Sequence, residues 1–401
     1  MNRNYGTAGL VVALFWIIVA VNILWFGWQA VNPTVEENGS TITEHVGDDE
    51  STTDSDFYYS FLTEDYQKEA YHTLYNGLKN RESNIVLNQC SAEEAKKIWD
   101  AVLYDRPEIF WALSYRYLEY KDGNPFCEIL PDYVYTTEEI KERQDKIEQV
   151  VAEYKTGIGK QATDYEKILY TYEFIVGLTE YSWDGANNQN IDSVLIGNLS
   201  VCAGYTKTTK YLLEQVGISS IFVYGMAQSP EGGQESHAWN IVSCEGEKYL
   251  VDTTWGDPIS EDGTTNPETV EKDKLYNINY QYLCFDDKQL SVKHEPNTDF
   301  EYPACENLTW NYYVVNKRYI DQEDKEQIKA LIEEDVINQK KVSDFKFASK
   351  ELYDSMHDYI ITEMGSYGVE LINSTYNKDF RQYANRDDKD YWMISLIWTY
   401  E

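Results

Sequence analysis

The longest apolar stretch comes first. From Ala8 to Val31 the chain is nearly continuous in Leu, Val, Ile, Phe and Trp, and only Asn22 and Gln29 are clearly polar. Roughly 24 residues at about 1.5 Å rise reach roughly 36 Å, enough to cross a bilayer with some tilt. Trp25 and Trp28 fall near one end, where indoles favour the membrane interface. Arg3 and the amino terminus precede the run, and Glu36 and Glu37 follow it. The positive-inside rule therefore expects residues 1–7 in the cytoplasm, a transmembrane anchor over 8–31 and everything beyond it outside the cell. A cleaved signal peptide has a shorter core and a small-x-small site, which Trp28-Gln29-Ala30 does not supply. Anchor or signal, the segment exports the chain. Residues 32–56 are acidic, rich in Ser, Thr and Gly, and carry no apolar period, which predicts a disordered linker.

At Phe57 the pattern becomes helical. Apolar residues recur at three- and four-residue spacing over Tyr66–Leu78 and Ala92–Leu103, and Ser91 with Glu94 forms a capping-box signature. Thr136–Tyr154 and Asp164–Leu178 read as further helices, so the region ahead of residue 180 is expected to be a helical extension. A polar loop, Trp183–Gln189, leads to a helix opening at Cys202 and ending near Val216-Gly217. Ile221–Tyr224, His237–Val242 and Tyr249–Trp255 read as strands, the last two joined at Glu245-Gly246. From residue 301 a second pattern begins. Tyr312–Val315 and Phe345–Phe347 are expected as strands, Asp324–Ile337 and Lys350–Met364 as helices, and Tyr391–Tyr400 as a final strand. This is a small accessory α/β domain, 301–401, following a main domain at 57–300.

Composition narrows the partners. Among 401 residues, 34 are Lys or Arg and 69 are Asp or Glu, a formal net charge of −35. So acidic a surface repels phosphate backbones, which excludes nucleic acid as a partner. The 35 Tyr and 11 Trp suit strands and cores, and name no ligand by themselves. Four Asn-x-Ser/Thr sequons, at Asn38, Asn198, Asn307 and Asn373, matter only in a host that glycosylates exported protein.

The chemistry rests on few residues. The six cysteines, Cys90, Cys127, Cys202, Cys244, Cys284 and Cys305, contain no C-x-x-C pair, so neither a zinc site nor a disulfide framework is expected. Of five histidines, His45 lies in the linker, His72 and His357 on predicted helices, and His294 in a charged loop. His237 alone sits beside a motif. A catalytic cysteine needs a base, and the base needs an orienting partner. Cys202 opens a helix in Val201-Cys202-Ala203-Gly204-Tyr205, where the partial positive charge of the N-terminus favours a thiolate. If Glu245-Gly246 is a two-residue turn, Cys244 pairs with Glu247 and Asp252 falls opposite Trp239. Asp252 and His237 are then diagonal neighbours on one face, about 7–8 Å apart at the backbone and within side-chain reach.

These stretches resemble the transglutaminase-like superfamily, in particular its bacterial surface proteins. The resemblance is carried by Cys202-Ala203-Gly204-Tyr205 opening a helix, by His237-Ala238-Trp239-Asn240 on a strand, and by Tyr249 to Pro258, which contains Asp252-Thr253-Thr254-Trp255-Gly256-Asp257. It covers about a quarter of the chain closely, from about Asp164 to Pro258, and the preceding region more loosely. It implies an α+β fold with a papain-like transglutaminase core, in which the cysteine helix packs on an antiparallel sheet. It also implies a triad of Cys202 as nucleophile, His237 as general base and then acid, and Asp252 fixing the imidazole. Gln189, a carboxamide ahead of the nucleophile, would be an oxyanion donor beside the Cys202 amide. No cofactor or metal is implied.

The expected activity is a cell-surface cysteine peptidase or amidase acting through a thioester on peptide bonds or Gln side chains, with external or cell-wall-associated protein as substrate. The alternatives are a cross-linking transglutaminase, in which an amine resolves the thioester, and a non-enzymatic surface scaffold.

Overall fold

Capping side chains set the helix boundaries, as the Ser91–Glu94 signature predicts for the second helix. The computed structural model describes residues 55–121, 125–228, 233–257 and 278–400. The predicted anchor at 8–31 and nearly all of the 32–56 linker lie outside the described residues. Among those described, no helix is long and apolar enough to cross a membrane. Four helices come first: α1 (Asp65–Lys79), α2 (Ala92–Asp105), α3 (Thr137–Gly157) and α4 (Asp164–Leu178). Ser91, Thr136 and Thr163 each accept the backbone N–H three residues on, and the Glu at that third position reaches back to close a capping box. Each box satisfies two donors that a helix start leaves unpaired.

The N-terminal part is not all helical, contrary to the pattern. It contains an antiparallel sheet of β1 (Ile85–Asn88), β2 (Ala112–Tyr120) and β3 (Phe126–Tyr133), in the order β1-β3-β2. These strands alternate poorly. Cys127, Glu128 and Ile129 are all buried in succession, so no period-two signal marks the strand. Two short parallel strands, β4 (Glu180–Tyr181) and β5 (Leu199–Ser200), then lead into α5 (Cys202–Glu214).

The central sheet is antiparallel, in the order β10-β6-β7-β8-β9. Its strands are β6 (Ser220–Gln228), β7 (Gln234–Cys244), β8 (Glu247–Val251), β9 (Leu283–Phe285) and β10 (His294–Pro296), with α6 (Asp287–Lys293) between the last two. Cys244 pairs with Glu247 and Asn240 with Val251, the register the two-residue turn predicts. Glu245 at φ 50° and Gly246 at φ 87° give the left-handed pair of a type I′ turn. The strand predicted to run to Trp255 stops at Val251. Asp252 accepts the Trp255 N–H and caps a helical turn, Thr253–Gly256, which diverts the chain.

One apolar cluster joins the N-terminal layer to this sheet. Leu74, Trp99 and Ile129 belong to it, and so do Tyr205 and Leu212 of α5, Phe222 of β6 and Ala238 of β7. The C-terminal unit has a sheet of β11 (Tyr319–Ile320), β12 (Val342–Phe347), β13 (Ala384–Asp388) and β14 (Met393–Ile397), in the order β11-β12-β14-β13. Around it lie α7 (Lys325–Ile337), α8 (Lys350–Asp358) and α9 (Gly365–Tyr376). A π-helical segment, Tyr359–Met364, joins the last two. Tyr312–Val315, expected as a strand, is a helical turn capped by Asn311. Cys305 and Tyr313, placed in the C-terminal domain from the sequence, pack with Trp239 and Phe285 of the central sheet.

Lys210 ties three segments together from the middle of α5. Its side chain has no exposed surface. Its ammonium donates to the carbonyls of Ser55 at 2.8 Å and Ser220 at 2.9 Å and to Glu214 at 2.5 Å. Lys210→Met should therefore lower stability by about 3 kcal/mol, because it strands a carboxylate and two carbonyls. Urea unfolding of the full chain measures this, and a change under about 0.5 kcal/mol would contradict the assigned role.

Candidate active site

Cys202 is the first residue of α5, and the loop ahead of it fixes where that helix begins. The Asn188 carbonyl accepts the Val201 N–H at 3.0 Å and the Ser200 hydroxyl at 2.7 Å. A Cβ on Gly204 would stand 2.9 Å from that same oxygen and 2.0 Å from Ser200 Oγ. Only glycine lets the helix and the loop pack this closely. The Cys202 amide lies in the first turn, where helix N–H groups have no acceptor within the helix.

The other two residues reach Cys202 on elements bonded to α5. Asn240, three residues beyond His237 on β7, donates to the Thr206 carbonyl at 3.1 Å and to Ser220 Oγ at 3.2 Å. On the far side of Asp252, Thr253 meets Thr209 hydroxyl to hydroxyl at 3.0 Å, and the Tyr205 hydroxyl donates to Asp257 at 2.5 Å. Strand, capping turn and helix are thus fastened to one another through side chains that are themselves buried. Cys202, His237 and Asp252 are 6%, 5% and 0% exposed.

The structure brings the three predicted residues together. His237 Nε2 donates to Asp252 Oδ2 at 2.7 Å. Burial works against charge on His237, but the Asp252 carboxylate outweighs it and the interaction with Cys202 adds to the effect, pushing the imidazole up to about 10. With Nε2 committed to the carboxylate, Nδ1 is the nitrogen left for the thiol. Burial alone would raise Asp252. Instead its contacts with His237, and then with His294, hold it well below the usual carboxylate range.

His294 is the residue that sequence reasoning missed. It lies on β10 and is 2% exposed. Its Nε2 donates to the same Asp252 Oδ2 at 3.3 Å, and its ring stands 4.2 Å from that of Trp255 and 5.0 Å from that of Trp239. Burial drives its pKa down, so it serves as a neutral donor beside a charged neighbour. Nothing local in the sequence marks it, since 42 residues separate it from Asp252. The donor atoms of His237, Asp252 and His294 lie within 4.8 Å of one another, a spacing that could also hold a metal ion. Trp239 and Trp255 pack around the imidazoles. Gln189 is partly exposed and lines the cavity that opens beside Ala203. All six cysteines are free and buried.

No family model matches the chain. A 137-residue stretch, 31% of this chain, is 25% identical to Kyphoscoliosis peptidase of Mus musculus and spans 21% of that protein. Among solved structures, a TGase (transglutaminase) is similar at 15% identity and a TM-score of 0.26, over 39% of this chain and 48% of that one. A protein from Cytophaga hutchinsonii, described as a candidate cysteine protease, is similar at 13% identity and a TM-score of 0.23, over 35% and 62%. The chain thus spans less than two thirds of each relative. These neighbours are of the kind the motifs resemble, but the overlays are loose, and the chemistry rests on the side-chain geometry.

The charges of the site predict a pH profile for stability. His237 holds its proton to about pH 10 in the fold, but only to roughly 6.5 when unfolded, so its contribution is whole below roughly 6.5 and lost as pH rises toward 10. Asp252, depressed, contributes above roughly pH 3.9 and loses that as pH falls, and the lowered pKa of His294 adds to the loss on the acid side. Thermal unfolding of the full chain, followed by circular dichroism, should show the melting temperature falling between about pH 7 and 10. Asp252→Asn should flatten that limb. An alkaline limb of equal slope in the variant would argue against the pair.

Proposed function

We propose that this chain is a cysteine hydrolase of the transglutaminase-like kind, which cleaves peptide or Gln side-chain amides through a thioester. The observation that carries this reading is the 2.7 Å bond between His237 and a fully buried Asp252, on an imidazole whose raised pKa also draws on Cys202. A scaffold protein has no need of a charged triad assembled out of water, where burying each ion is costly.

The steps follow from the pairing. His237, which carries a proton through neutral pH, keeps the proton of the reacting pair, and the Cys202 sulfur adds to the substrate carbonyl carbon. Negative charge gathers on the carbonyl oxygen, for which the Cys202 amide is the natural donor and the Gln189 carboxamide the proposed second one. As the C–N bond breaks, the His237 imidazolium passes its proton to the leaving amine. Water, deprotonated by His237, then adds to the thioester carbon and releases a carboxylic acid and the thiol. Asp252 keeps the imidazole in one orientation throughout and stabilises its charged form. Hydrolysis is favoured over cross-linking because it needs no second-substrate site. The apolar run at 8–31 supports membrane anchorage and an extracellular site for these steps, and so a protein or peptide substrate outside the cell, cell-wall protein included.

Incubating the full chain with a peptide mixture, quenching in acid and mapping by mass spectrometry should show a hydroxylamine-labile acyl adduct on the peptide containing Cys202. Cys202→Ala should carry none, and His237→Ala about a hundredfold less. Added amine separates the two fates of the thioester, because a hydrolase yields mostly free acid and a transferase mostly the amide. Equal adduct in the wild type and Cys202→Ala would rule the nucleophile out.

A further inference from the structure

A cavity of about 340 Å3 opens between the N-terminal layer and the loop that precedes the cysteine helix. That is the size of small-ligand sites, roughly 300–1,000 Å3. Trp99, Tyr104 and Phe222 give it an aromatic wall, while Gln189, Asn190 and Lys207 give it a polar one. Ala203, the neighbour of Cys202 in the chain, also lines it. Lys207 follows Ala203 by four residues, so both lie on the same face of α5.

The charges in this cavity do not cancel. Lys96 and Asp100, both in its lining, pair with each other at 2.5 Å. Lys207 donates to the neutral Asn190 Oδ1 at 2.9 Å and, among the described residues, forms no ion pair. Asp192 is the acid whose charge acts on it, but that carboxylate already accepts from Tyr135, Asn187 and Arg143. Burial lowers the Lys207 pKa to about 8, against the pull of Asp192, so it remains largely an ammonium near neutral pH. In a chain of net charge −35, the cavity next to the nucleophile thus carries a surplus positive charge.

We propose that this cavity receives the substrate residue beside the reacting amide, and that Lys207 selects a carboxylate on that residue. The carboxylate belongs either to a Glu or Asp side chain or to a chain terminus. The apolar stem of such a residue lies along the rings, and its charge pairs with the cation of the cavity lining that has no anion among the described residues. A charge-assisted hydrogen bond out of bulk water is strong enough to dominate the choice among otherwise similar peptides. This inference rests on Cys202 being the nucleophile.

The test uses the full chain and two peptidyl electrophiles that alkylate cysteine, identical except for Glu or Gln beside the warhead. A competing peptide is supplied as the free acid and as the amide. The Glu probe is expected to label Cys202 about tenfold faster than the Gln probe, or the free acid to protect Cys202 about tenfold better than the amide. The first result assigns the carboxylate to a side chain, the second to a chain terminus. Lys207→Gln should bring the discriminating ratio close to one, and Lys207→Arg should keep it. Ratios near one for both pairs in the wild type, or a ratio that survives Lys207→Gln, would overturn the pocket. If no probe labels Cys202 in a protein that still melts cooperatively, the nucleophile fails first and the pocket with it.

Discussion

A carboxylate with no exposed surface must be solvated by the protein itself, and the centre of this fold is arranged around doing so for Asp252. One oxygen takes the Trp255 N–H, which starts a helical turn. The other takes two imidazole N–H groups, from β7 and β10. Each donor lies on a different element, so the positions of a central strand, a capping turn and a sheet edge are all set by one charged group. Of the two imidazoles, only His237 gains a positive charge from this contact. His294, pushed down by burial and by the charges of His237 and Lys293 and held farther from the carboxylate at 3.3 Å, stays neutral and contributes only a proton to share. The orientation a general base needs is a by-product of satisfying a buried anion.

The second organising element is the helix that begins at Cys202. It gives Thr206 to the histidine strand, Tyr205 and Thr209 to the turn after Asp252, Gly204 to the preceding loop, and its next turns to the core shared with the N-terminal layer. Fixing one helix therefore fixes the nucleophile against its base. It also explains why the sheet-and-helix layer ahead of residue 135 belongs to the working unit: Trp99 and Tyr104 of α2 wall the cavity that the helix floors.

Much of this was readable in the sequence, wherever the signal is local. The Ser91–Glu94 capping box gave the start of α2, and Glu245-Gly246 gave the hairpin register. From that register followed the pairing of His237 with Asp252. What failed were positions where tertiary contacts override local preference. The Tyr-Tyr-Val-Val of residues 312–315 has strand composition, yet Asn311 turns it into helix. Thr253 to Trp255 continues an apolar strand pattern, yet Asp252 caps a turn there. The N-terminal strands bury consecutive residues and include Pro131, so no alternation announces them. His294 has no motif at all, and its role exists only because β10 folds back onto β6.

Ser55 opens the described chain, and its carbonyl rests on the ammonium of Lys210, two turns along the helix from Cys202. Tyr58 and Tyr59 extend that attachment, giving their amides to Asp105 at the end of α2. A pull on the polypeptide ahead of Ser55 would not be absorbed in a peripheral loop. It would load the helix that bears the nucleophile through the bond of Ser55 to Lys210, and the end of α2 through those of Tyr58 and Tyr59 to Asp105. The point of attachment and the reaction centre share one mechanical element.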